Sequence, residues 1–558
     1  MRIEPFLLLQ LMLGYTFASV CFIFGVSLHA WQFWAAIGIT LSLAFFYSRR
    51  LGVGLLALNV LAFILTLYTF SYVHIDASIC HLPMTHFMQD GWNPIRESSV
   101  EAVRNCFAAR GMDNVDLFTI LHIIAGPKFA QILAAQMQSA TGLFTALGYP
   151  IWIMLFALGI LAYRFSSAFW GVSRWVSVAF AVLVTSNYII LENSFFGLVD
   201  YVTYAAISIS AMSLGLWTKS KDIMDLVMFF AGLAMAVLSK FNCLVCVSLL
   251  IFLAAVIGWK NRQMRISFLV FFVVLTLLCV IPYWTSAWYH GSPFYPAHSF
   301  RDNVPLMDLN SDFIGNDDVS RMGYIARMIY AWVNCSFAQW GCKLYYSLDS
   351  FEPCWKYDFL VRGENGFFCA LLCSGAIFSL FINRNRATVI GWVLMLAFLI
   401  LPVKYVGYSR YVSYVFFIVI LFWFNILTAY KGKMSKFIQY VPIVFSVCMG
   451  IFFIKTYFSQ ICAEGIRQVN IASIAKNGGF YFNEPKSYWA YLLKCRLLIG
   501  GADVLAEGEN KLEIDWPFVL KGNGLNASDD EFNGGRISSF PNPVWSSNLK
   551  VEGVKSDF

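Results

Sequence analysis

Long apolar stretches recur along this chain, and the basic residues between them fall almost wholly on alternate connections. The stretches lie near 5–28, 31–47, 52–72, 138–162, 170–190, 201–217, 223–239, 243–259, 266–285, 366–383, 388–403, 411–429 and 438–457. Most approach the ~20 residues that carry a helix across a bilayer. The pattern predicts an all-α polytopic membrane protein of about thirteen transmembrane helices. Only 13% of the 558 residues are charged and 59% are apolar, roughly half the charge of a soluble chain. With the N-terminus inside, fifteen basic residues fall on the inner side: Arg2, Arg49, Arg50, Arg164, Arg174, Lys219, Lys221, Lys260, Arg262, Arg265, Arg384, Arg386, Lys431, Lys433 and Lys436. The short outer connections receive Lys240, Lys404 and Arg410. Such a bias fixes orientation. The net charge of +7 does not point to nucleic acid, because it is spread over short clusters between apolar runs.

This orientation puts three long segments outside, at 73–137, 286–365 and 458–558, and leaves every inner connection short. The chain therefore divides into a transmembrane domain over 1–457, which includes outer loops 73–137 and 286–365, and an extracytoplasmic C-terminal region over 458–558. The first apolar run lacks a small-residue cleavage site and reads as a signal anchor. Within the first outer segment, Val115–Ile124 and Pro127–Gln138 have apolar residues at helical spacing. Two readings stay open for them: helices along the membrane interface, or packing helices of a loop domain. Of the fourteen cysteines, Cys80, Cys106, Cys335, Cys342, Cys354, Cys462 and Cys495 fall outside. Oxidising compartments permit disulfides there, with Cys80–Cys106 and Cys462–Cys495 as candidate pairs. Cys243 and Cys246 form a CxxC inside an apolar run and read as small core residues.

Chemistry concentrates at the outer face. Asp76 precedes His81-Leu82-Pro83, and Asp90-Gly91-Trp92-Asn93-Pro94 follows. Further along come Ser239-Lys240-Phe241-Asn242, then Pro282-Tyr283, then His290-Gly291-Ser292-Pro293-Phe294-Tyr295-Pro296, and finally Arg410-Tyr411. In that order these segments resemble motifs of the GT-C glycosyltransferases, including the mannosyltransferase-like and aminoarabinose-transferase-like members. Cys80 stands where the first motif usually has Tyr. The resemblance covers about residues 1–430. It implies a GT-C-like fold and an enzyme that transfers a hexosyl or pentosyl group at the outer face, usually with inversion. The donor it implies is a polyprenyl-phosphate sugar.

Such a transfer needs a base for the acceptor hydroxyl and cations for the departing phosphate. Asp76 is the candidate general base; an acid that merely caps the loop is the alternative. Lys240, Lys404 and Arg410 are candidate phosphate contacts, against plain interfacial snorkelling. Arg410 offers a bidentate fork, and Tyr405, Tyr408 and Tyr411 crowd it. Asp200 aligns with a site acid of the family and equally suits a helix-start cap. His81 either binds the carrier phosphate or orients Asp76. Asp90 reads first as part of a turn and second as a substrate contact, and Tyr295 as a shape-setting residue of its turn.

No cluster has metal-ligand spacing, although His74, His81 and His86 lie near Asp76 and Asp90. We expect no cofactor and do not favour a divalent ion. The expected partners are a polyprenyl-phosphate-linked donor, a glycan, lipid or protein acceptor, and membrane lipid. The expected location is a bacterial plasma membrane, N-terminus cytoplasmic and C-terminus extracytoplasmic. Two alternatives remain. One is a polysaccharide polymerase or O-antigen ligase taking polyprenyl-diphosphate glycans, with Arg301, Arg321, Arg327 and Arg362 in its large loop. The other is a transporter or flippase for lipid-linked sugars.

Overall fold

The computed structural model describes residues 2–67, 69, 81–109, 115, 117–124, 126–143, 145–186, 199–293, 371–382, 385–400, 414–429, 442–444, 446–447, 480–481, 504–505 and 512–513. Among these the chain is helical apart from three two-residue strands. The helices are α1 Glu4–Ile23, α2 Ala30–Tyr47, α3 Arg49–Leu67, α4 Leu82–Gln89, α5 Val100–Ala108, α6 Leu117–Ile124, α7 Phe129–Thr141, α8 Gly148–Phe165 and α9 Arg174–Thr185. They continue with α10 Asp200–Ser220, α11 Ile223–Ser239, α12 Leu244–Gly258, α13 Arg262–Val274 and α14 Ile281–His290. The last three are α15 Leu371–Ile382, α16 Arg386–Ile400 and α17 Tyr414–Ala429.

Among the described residues, six helical stretches are long and apolar enough to cross a bilayer: α1, α2, α3, Gly148–Trp170, Phe241–Gly258 and Arg262–His290. Their exposed surfaces carry large apolar side chains such as Phe46, Phe252, Leu269, Leu277 and Trp288. In water that would be costly; facing lipid it is the expected arrangement. The chain thus has the character of a multi-pass helical membrane protein.

The centre of the bundle is α10, in which every residue from Asp200 to Thr218 is buried. Its small side chains let neighbours come close, as happens where helices pack without a hydrophobic driving force. At Gly232 of α11, an added Cβ would stand 2.8 Å from the Ala206 carbonyl oxygen, so only glycine permits this approach. There the Ser210 hydroxyl donates across the contact to the Phe229 carbonyl at 3.1 Å.

Charge marks one end of the bundle. Arg164, at the end of α8, lies 2.8 Å from Glu4 of α1 and 2.7 Å from Asp225 of α11. Arg2 pairs with Asp222 at 2.7 Å, and the Ser220 hydroxyl donates to Asp225 at 2.8 Å. Glu4 and Asp225 are buried. We call this the ionic end. The segment after α4 packs on the other, the loop end: Asn93 donates to the Phe22 carbonyl at 2.8 Å, and Arg96 to the Ile23 carbonyl at 2.6 Å, both at the close of α1.

One expectation needs correction, and one open reading is decided. The apolar run 138–162 is not one span. α7 ends at Thr141, Gly142 turns the chain with φ +71°, and α8 starts at Gly148. Nor does Pro127–Gln138 lie along an interface with one face in water. Every residue of α7 from Phe129 to Gln138 is buried, packed on α1, α2, α4 and α8. The Gln136 amide donates to the Gly14 carbonyl at 2.8 Å, halfway along α1. The segment enters the bundle because its polar residues find partners there. In the C-terminal region, Phe480–Tyr481 (β1) pairs in parallel with Val504–Leu505 (β2) and Leu512–Glu513 (β3), a small departure from an all-helical chain.

Candidate functional site

Asp200 and Lys240 form an ion pair at the loop end. The two residues are forty positions apart, and the α10–α11 hairpin brings them together. Asp200 occupies the first turn of α10, and Lys240 follows the last residue of α11. Each charge therefore sits at the helix terminus whose dipole favours it. The Asp200 side chain is 5% exposed and that of Lys240 19%. At Lys240 the backbone becomes extended (φ −151°, ψ 140°), then turns through Phe241–Cys243 into α12. That break directs the lysine toward Asp200 and places Thr203 and Cys243 beside the pair. Such an acid–cation pair at the mouth of a helix bundle can hold a polar headgroup by exchanging one partner for the ligand.

His81 precedes α4, and its Nδ1 lies 3.0 Å from the Gln131 amide nitrogen on α7. Since the amide nitrogen only donates, Nδ1 accepts, and in the neutral ring the proton then belongs to Nε2. α7 also packs on α11, whose end carries Lys240. Asp90 closes α4 in a turn: Gly91 takes φ +106°, and the Trp92 amide donates to the Phe87 carbonyl at 2.8 Å. The Asn93 side chain accepts from the Ile95 and Arg96 amides at 3.1 and 3.2 Å.

A small half-open cavity, with about 20 Å³ of room for the centre of a water-sized sphere, lies between the segment after α4, the start of α7, and α14. Tyr15, Ile95, Ser98, Lys128, Thr285 and Ser286 are among the residues lining it. Lys128 is 6% exposed. Its ammonium donates to the carbonyls of Ile124 and Gly126, each at 2.9 Å, and lies 6.0 Å from the centre of the Trp92 ring. Among the described residues no carboxylate pairs with it. Burial pushes its pKa down from 10.5 to about 7, because a charge removed from water without a counter-charge is disfavoured.

No protein family, curated protein or solved structure matches this chain. The site is therefore read from its own residues.

Of the residues singled out from sequence, the structure joins Asp200 to Lys240, places His81 against α7 and puts Asp90 in a turn. Asp76, Tyr295, Lys404 and Arg410 lie outside the described residues, as does His74. The described residues contain no group of three or more potential metal ligands. Lys128 was missed by the sequence reading. Its one signal in the sequence is a lone cation after Gly126-Pro127, at the start of an apolar helical run. Ser98 and Thr285 carry no sequence signal at all.

Proposed function

We propose that the chain is a GT-C-type membrane glycosyltransferase that moves a sugar from a polyprenyl-phosphate carrier to an acceptor hydroxyl at the extracytoplasmic face. In this reading about thirteen helices cross the membrane, with the N-terminus cytoplasmic and the C-terminus outside a bacterial plasma membrane. The acceptor oxygen attacks the anomeric carbon and loses its proton to the Asp76 carboxylate. The bond between that carbon and the carrier oxygen breaks, and its electron pair leaves with the polyprenyl phosphate. Attack from the opposite side inverts the anomeric centre. Lys240, Lys404 and Arg410 receive the phosphate, Asp200 holds Lys240 in place and contacts a sugar hydroxyl, and His81 orients Asp76 or the phosphate. Asp90 and Tyr295 shape the approach to the site. No cofactor is required.

The observation that carries this reading is the buried Asp200–Lys240 pair at the end of the bundle where the segment after α4 packs. On the short connections basic residues fall mostly on the other side, and a cation retained here has an anion to serve. Full-length protein in nanodiscs, given radiolabelled polyprenyl-phosphate sugars and a mixed acceptor extract, should release labelled product that depends on Asp76. Release only from polyprenyl-diphosphate glycans, or label that crosses the bilayer still attached to its carrier, would replace this reading with a polymerase or a flippase.

A further inference from the structure

Lys128 poses a problem of charge. An ammonium has three protons to donate, and two of those on Lys128 go to carbonyl oxygens. The third has no acceptor among the described residues, and neither bond supplies a countercharge. The walls of the same cavity hold two more groups in a similar condition. Ser98 is 3% exposed and Thr285 7%, and among the described residues neither hydroxyl has a hydrogen-bond partner. Both side chains line the cavity, where a ligand can accept from their hydroxyls. The remaining wall is largely apolar, with Pro94, Ile95, Ile124, Ile132 and Pro282, and among the described residues no carboxylate lines it.

We propose that this cavity binds a tetrahedral oxyanion of the phosphate class, held by the Lys128 ammonium and the hydroxyls of Ser98 and Thr285. Donors arrive from three separate elements: the turn after α4, the start of α7, and α14. A tetrahedral anion presents acceptors in all of these directions, whereas a planar carboxylate does not. The first turn of α7 begins at Lys128 and adds the partial positive charge of a helix N-terminus. A bound water would satisfy the hydroxyls and leave the ammonium uncompensated; an anion answers both. The apolar wall keeps water away and strengthens the charge interaction. The anion is either free phosphate or the headgroup of a prenyl phosphate whose chain lies against the exposed apolar surface of α13 and α14. This inference does not rest on the transfer reading, since a phosphate can bind whether or not a sugar moves.

The test is titration calorimetry on full-length protein in nanodiscs with inorganic phosphate, geranyl phosphate and geraniol. At least one phosphate should bind, and geraniol should not. Lys128→Met should weaken binding about tenfold or more, the scale of losing a hydrogen bond to a charged group. The double variant Ser98→Ala/Thr285→Ala should weaken it severalfold while leaving thermal unfolding unchanged. Binding of both phosphates assigns the site to the free anion, and binding of geranyl phosphate alone assigns it to a lipid headgroup. The proposal is overturned if neither phosphate binds, if geraniol binds equally well, or if the variants bind as the parent does. Should Lys128→Met fail to fold, the double variant decides. Lys128-dependent phosphate binding in a protein that transfers no sugar would leave this site standing and remove the glycosyltransferase reading.

Discussion

The two ends of this bundle treat buried charge in opposite ways. At the ionic end, Arg164 touches both Glu4 and Asp225, while Arg2 and Ser220 complete the shell around Asp225. Three helices are tied there, and each buried carboxylate has a cation against it. At the loop end, Lys240 pairs with Asp200, and among the described residues Lys128 meets carbonyls and an aromatic face without a carboxylate. A network in which each acid meets a cation serves to fix how helices meet. One left short of negative charge is costly and becomes favourable when an anion arrives. The contrast teaches where to look for function: at the end where the charges do not balance.

Several experiments would break or sharpen that contrast. The largest effect belongs to the loop end under the transfer reading. Asp76→Asn should lower sugar transfer by about 10²–10⁴-fold, the range a positioned general base supplies, with membrane insertion unchanged. Full transfer by a correctly inserted variant would move the base elsewhere. At the ionic end, Asp225→Asn should cost stability and not chemistry. Removing one partner of a buried ion pair costs on the order of 3–5 kcal/mol, so the yield of folded protein and the thermal midpoint in detergent should fall. Transfer per folded molecule should hold; its loss would show that the ionic end is not merely structural.

The Asp200–Lys240 pair lies between these cases, and a double-variant cycle tells its roles apart. Lys240→Met leaves a buried carboxylate unpaired and should destabilise the protein. Adding Asp200→Asn should restore thermal stability. If the pair also serves the substrate, the restored protein remains poorly active, with weaker donor binding showing in KM. Recovery of both stability and activity would make the pair purely structural.

The effect that is smallest at any one step is a slope with pH. The folded pKa of Lys128 is about 7, against 10.5 in the unfolded chain. Between those values the unfolded chain binds the extra proton, so stability rises as pH rises, by up to about 1.4 kcal/mol per unit from this one group. The gain is complete above the unfolded pKa and absent below the folded one. Lys128→Met should flatten the thermal midpoint measured from pH 7 to 10. An unchanged slope would mean that the lysine is hydrated or paired. Saturating phosphate should flatten it as well, because a bound anion keeps the lysine charged.

The sequence by itself determined that the chain is a set of apolar helices whose short connections carry their basic residues mostly on alternate turns of the chain. Both properties are local: the length of an apolar run measures a helix against a bilayer, and the charge of a short connection assigns it a side. It also brought Asp200 and Lys240 forward as candidates, through the motif around Lys240 and the rarity of cations on short outer connections. It did not join them, because a contact across forty residues depends on how α10 closes on α11 at Gly232. The depth of α7 was equally illegible. Its apolar spacing suits a membrane surface as well as a core, and only the partners of Gln131 and Gln136 make the core affordable. Lys128 is the sharpest case. Nothing in its neighbours along the chain distinguishes a solvated lysine from a buried one. Tertiary structure alone removed its water without supplying a carboxylate, since burial is set by what packs around a side chain and not by what precedes it.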